Sequence, residues 1–132
     1  MMQSAASYLW VAIGGAAGST ARYAVTRIAA RLAEGTFPWA TLLVNVSGSL
    51  LIGFLAGLAL PNGRSALPPD ARAFLLIGVL GGFTTFSSFS LETLNLARDG
   101  DWLGATANVA GSVALCLVAV WIGSAAAAAL SR

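Results

Sequence analysis

Gly81-Gly82-Phe83-Thr84-Thr85-Phe86-Ser87-Ser88-Phe89 lies inside an uncharged run, Ala73–Leu91, that nearly reaches membrane-spanning length. A spanning helix takes about 20 mainly apolar residues. Adjacent Gly81 and Gly82 weaken helix continuity. The hydroxyls of Thr84, Thr85, Ser87 and Ser88 can satisfy the backbone groups that a broken helix frees. Irregular backbone at membrane depth is tolerated only where protein covers it or where it lines a water-filled cavity. The stretch therefore predicts a helix broken mid-membrane, with an ion site or permeation path beside it.

The surrounding composition agrees. The 132 residues are 58% hydrophobic and 9% charged, against about 25% charged in soluble domains. Charge-free runs cover Met1–Ala21, Gly35–Gly63, Ala73–Leu91 and Trp102–Ser131. These predict an all-α membrane protein with four transmembrane helices over about 8–33, 39–60, 71–97 and 102–128, in one domain spanning 1–132. The first run lacks a basic N-terminal region and leads without a turn-rich break into Arg22, Arg27 and Arg31, so it reads as a retained helix rather than a signal peptide. Pro38 marks the start of the second span, Pro61-Asn62-Gly63 its end, and Asp70 is a candidate cap for the third.

All the basic residues are arginines near segment ends, which suits anchoring at the membrane interface and not nucleic-acid binding. With four spans, Arg64, Arg72 and Arg132 fall on one side and Arg27, Arg31 and Arg98, with Arg22 at the interface, on the other. So even a distribution gives no preferred orientation. It predicts insertion both ways and an antiparallel, dual-topology homodimer.

The chain holds no histidine, which excludes a histidine metal site or base, and Glu92 is the one carboxylate near an end of the third span, placed to pair with an arginine or cap a neighbouring helix. No acid lies mid-span on this reading, which argues against a proton-relay transporter. Cys116 has no intrachain partner and reads as a small packing residue.

Polar and aromatic positions remain. Thr41 and Asn45, four apart on one helix face, form a short polar stripe; alone, Asn45 reads as an interhelical hydrogen bond. Phe83, Phe86 and Phe89 recur at helical spacing. Core packing accounts for such a row, but a phenyl edge is electropositive and can face an anion weakly enough to release it. Carbonyls freed around Gly81 and Thr84 are hard oxygen donors for a small cation. Arg22 either snorkels to the interface or forms a positive vestibule.

Taken together, Gly14-Gly15 through Gly18 to Arg22-Tyr23, Thr41-Leu42-Leu43-Val44-Asn45 with Gly48 and Gly53, the 81–89 motif with Glu92, and Asn108-Val109 with Ser112 resemble the Fluc (CrcB-type) fluoride channel family over essentially the whole chain. The resemblance implies a passive fluoride-selective channel of the bacterial inner membrane, with two antiparallel pores in a dual-topology homodimer. It implies a structural sodium ion on the two-fold axis, held by the backbone carbonyls of Gly81 and Thr84. It places Phe86 and Phe89 along the fluoride path, Asn45 as the pore amide, Thr41 as a nearby hydroxyl, Ser112 in a polar track and Arg22 near the vestibule. Gly104 stands where some members carry a tyrosine in that track, and Asn108 is a candidate replacement. The alternatives are a four-helix multidrug-type exporter, which would want a carboxylate in the first span, and a membrane subunit that only packs helices. The balanced arginines give a direct test of topology. Side-specific reporters fused to either terminus should each label on both sides of the membrane; one fixed orientation would contradict the dual insertion.

Overall fold

A computed structural model describes residues 5–58, 60 and 62–131; the expected turn residue Pro61 and the terminal Arg132 lie outside them. The described residues form helices joined by short turns. Helix α1 covers Ala5–Leu32 and α2 covers Trp39–Gly57. The third segment is composite. A first turn, α3 (Pro69–Arg72), runs into a wider π-helical stretch at Ala73–Leu80 and then α4 (Gly81–Phe83). After Thr84 and Thr85, α5 (Phe86–Arg98) completes it, and α6 covers Trp102–Leu130.

Local chemistry explains most of the boundaries. Pro38 occupies the cap position of α2, where its missing N–H costs nothing. The second helix ends at Gly57, short of the expected 60, because Leu58 turns extended and accepts from Ala66 N–H at 3.3 Å. A tight turn follows in which Gly63 takes a φ of 75°, a conformation that favours glycine. Asp70 does not cap the third segment. The helix starts earlier, with Pro69 in its first turn, so Asp70 lies inside that turn and accepts from Ser7 Oγ at 3.2 Å. A carboxylate there still suits the positive end of the helix. Asp101 does cap α6, accepting from Gly104 N–H at 2.8 Å, so Gly104 belongs to a capping turn.

By length and composition, three helical segments are apolar enough to cross a membrane: Trp39–Gly57, Pro69–Arg98 and Trp102–Leu130, with mean hydropathies of 1.7, 1.7 and 2.3. The 28-residue α1 is long enough but less apolar, because small residues, hydroxyls and arginines interrupt it.

Helices pack in two layers of close contact: α1 lies along the π-helical stretch and α4, while α2 lies along α6, which also meets α5. The buried apolar residues are few and include Val44, Leu80, Phe89, Leu96, Ala105, Ala119 and Ala127. In lipid there is no hydrophobic drive between helices, so close backbone approach does the work. It is tight where Gly53 and Gly123 cross: a Cβ on Gly53 would strike Val120 O, and one on Gly123 would strike Leu50 O. Backbone oxygens cannot rotate away as a side chain can. Gly53→Val should therefore destabilise the detergent-solubilised protein by roughly 1–3 kcal/mol, as overpacking does, read as a lower thermal unfolding midpoint. Ala128→Val, at an exposed position near the end of α6, should leave the midpoint unchanged.

Candidate functional site: the interrupted third segment

The site is built around a place where the α-helical ladder stops. Thr84 (φ −79°, ψ 157°) and Thr85 (φ −152°, ψ 113°) are extended. In an unbroken helix, Thr85 N–H would donate to Gly81 and Ser88 N–H to Thr84. Neither bond forms. Thr85 N–H donates to Asn45 Oδ1 at 2.7 Å, and Ser88 N–H donates to Thr85 Oγ1 at 3.1 Å. Thr85 is thus the N-cap of α5. Thr84 folds its hydroxyl back onto Leu80 O at 2.9 Å, the carbonyl that Thr84 N–H also reaches at 3.0 Å.

Asn45 grips both sides of one peptide residue. Besides accepting from Thr85 N–H, its Nδ2 donates to Thr85 O at 3.0 Å. The side chain does for Thr85 what a neighbouring strand would do. Gly48, one turn further along α2, makes room for the Thr84 methyl: a Cβ on it would strike Thr84 Cγ2.

Interruption frees the carbonyls of Gly81, Gly82, Phe83 and Thr84 from their helical donors. Gly82 O accepts instead from Arg22 Nε at 3.1 Å and from Ser19 Oγ at 3.4 Å. Gly81 and Thr84 line a surface groove of about 370 Å³ together with Asn45, Phe86, Phe89 and Ser112. The two phenyl rings lie 5.2 Å apart at 46°. Phe89 is buried, while Phe86 is 76% exposed on the single chain.

Thr41 and Arg22 do not join that groove. They line a separate cavity of about 160 Å³ with Thr85, Ser88 and Glu92, and only Thr85 borders both. Thr41 Oγ1 donates to Glu92 Oε1 at 2.8 Å. Among the described residues, Glu92 Oε2 is buried without a hydrogen-bond partner. The carboxylate therefore neither pairs with an arginine nor caps a helix, and it lies well inside α5, nearly two turns before Arg98.

The polar residues of α6 form a line of their own. Ser112 Oγ donates to Asn108 Oδ1 at 3.3 Å, Asn108 Nδ2 to Thr93 Oγ1 at 2.8 Å, and Thr93 Oγ1 to Phe89 O at 2.7 Å. Thr93 is the residue that sequence reading passes over. The cluster of hydroxyls after Gly82 was the signal for Thr85, whose side chain caps α5 by accepting from Ser88 N–H. Thr93 has none, because its partner is on another helix. The groove brings together phenyl rings, hydroxyl residues and the Asn45 amide, which suit an anion, and Gly81 and Thr84, whose freed carbonyls suit a cation.

Known proteins match this chain over nearly its whole length. The model of the family described as "CrcB-like protein, Camphor Resistance (CrcB)" matches residues 9–124. A protein of Paramagnetospirillum magneticum named "Fluoride-specific ion channel FluC" is 55% identical over 126 residues, covering 96% of this chain and 98% of that protein. Proteins with the same name from Opitutus terrae and Rhodospirillum rubrum are 57% and 53% identical, covering 94% and 89% of this chain and 94% and 91% of their own. The match runs from α1 through most of α6 and so takes in every residue that shapes the interrupted segment. By sequence and over nearly its whole length, this chain belongs to the CrcB family of multi-pass membrane proteins.

Proposed function

We propose that this protein is a fluoride-selective channel of the inner membrane that lets cytoplasmic fluoride leave passively down its gradient. The observation that carries the reading is the groove itself. It gathers Asn45, Phe86, Phe89 and Ser112 beside an interrupted helix in a chain whose relatives are named as fluoride channels. Fluoride is small and strongly hydrated, so any path must replace lost water with donors. Asn45 keeps one Nδ2 proton beyond its bond to Thr85, and the phenyl edges of Phe86 and Phe89 supply a weaker positive field. Weak, repeated contacts favour entry without trapping the ion.

The complete path takes two copies on this reading. Phe86 is exposed and the groove is open on one chain, as expected if a second copy, inserted in the opposite orientation, closes it. The near-even split of arginines favours that arrangement, and α1 then serves as a fourth span packed along the third segment. Two copies would give two antiparallel pores.

A structural sodium ion fits the same break. Gly81 and Thr84 both line the groove, and the carbonyls of both lack their helical donors, which go to Asn45 and Thr85 instead. Hard oxygens of this kind suit a small hard cation, and carbonyls from two copies would double the donor set. A bound sodium would supply positive charge that offsets the freed carbonyl dipoles at the dimer centre.

Purified protein in liposomes loaded with potassium fluoride should release fluoride to an ion-selective electrode once potassium is made permeant, and should retain chloride under the same conditions. No fluoride release, or equal release of chloride, would contradict the channel. Phe86→Ile and Phe89→Ile should each slow release by roughly tenfold, equivalent to about 1.4 kcal/mol at the barrier. Unchanged release in both would remove the phenyl edges from the path.

A further inference from the structure

Arg22 meets the channel at a different point from a vestibule. Its Nε donates to Gly82 O at 3.1 Å, and Ser19 Oγ reaches the same oxygen at 3.4 Å. In an unbroken helix that oxygen would take the N–H of Phe86. The interruption carries Phe86 into α5, so the oxygen is left for another donor. Arg22 is part-buried and makes no salt bridge among the described residues.

A packed seam brings the donor there. Gly14, Gly18 and Arg22 stand four apart and share one face of α1. A Cβ on Gly18 would meet Phe83 N at 2.9 Å, and a Cβ on Gly82 would meet Gly15 O at 2.7 Å. Side chains at either position would hold α1 off the third segment. With glycine at both, the backbones close and the first nitrogen of the Arg22 side chain reaches Gly82 O. Its charge is not what geometry demands at that point; an N–H is.

We propose that Arg22 is a positioning residue: its Nε–H replaces the lost helical donor to Gly82 and fixes the end of α4, so that Gly81 and Thr84 keep their place on the groove. The consequence for conduction rests on the fluoride-channel reading; the hydrogen bond does not.

Two substitutions separate the donor from the charge. In Arg22→Gln, the amide nitrogen takes the place of Nε and the charge is lost. In Arg22→Lys, the charge is kept and a methylene takes that place. The sequence contains the dipeptide Gly-Phe only at Gly53–Phe54 and Gly82–Phe83. Protein with isotope-labelled glycine carbonyls and phenylalanine amides thus gives two selected resonances, one at the break and one internal control. Arg22→Lys should shift the Gly82 resonance, leave that of Gly53 in place and slow fluoride efflux on the order of tenfold, as expected for losing a hydrogen bond from a charged donor. Arg22→Gln should leave both resonances and keep efflux within about twofold. Ser19→Ala, a milder variant, should shift the Gly82 resonance less than Arg22→Lys does. A Gly82 resonance unmoved by Arg22→Lys, or efflux kept by Arg22→Lys and lost by Arg22→Gln, would overturn the positioning role in favour of a vestibule charge. Wild-type protein that releases no fluoride, with the Gly82 resonance still shifted by Arg22→Lys, would contradict the channel reading and support the hydrogen bond.

Discussion

Asn45 and Thr85 make the contact on which the rest of the site depends. A helix cannot stop in an apolar setting without finding partners for the backbone groups it releases. One side chain on α2 satisfies the N–H and the carbonyl of the same threonine, at 2.7 and 3.0 Å. Leaving either group unmade would cost about 1–3 kcal/mol. That grip holds the third segment in two pieces, and from it follow the N-cap on α5, the released carbonyls and the two cavities divided by Thr85.

The division sorts chemistry by side. The groove is lined by Phe86, Phe89, Ser112 and the two residues with released carbonyls, Gly81 and Thr84, and among the described residues no charged side chain borders it. Behind the break, the smaller cavity holds Arg22 and Glu92 with a set of hydroxyls. Each charged group is tied by one contact, Arg22 to Gly82 O and Glu92 to Thr41. Full charges are thereby kept off the surface where weak binding would be needed, yet near enough to hold its walls.

Much of this was legible in the sequence because it is local. Two glycines followed by hydroxyls inside an apolar run announce an interrupted helix, and Pro38 sets the start of α2 within its own turn. Phe86, Phe89, Asn45, Gly81, Thr84 and Ser112 do meet at one groove. What the sequence could not supply is register between helices. Asn45 reads as a pore amide or a helix bridge, and only the placement of α2 against the break reveals that it grips Thr85 from both sides. The same holds for Thr93 with Asn108 and for Arg22 with Gly82. Asp70 was misplaced for a smaller reason: α3 starts at Pro69, before the boundary that the charges suggested.

Backbone hydrogen exchange at Thr85, compared between wild-type protein and Asn45→Leu, tests the central claim most directly. If Asn45 holds the break, Thr85 N–H exchanges slowly in the wild type and quickly in the variant. Equally slow exchange in both would mean that the amide bonds Gly81 in an unbroken helix, and the account of the site would fail.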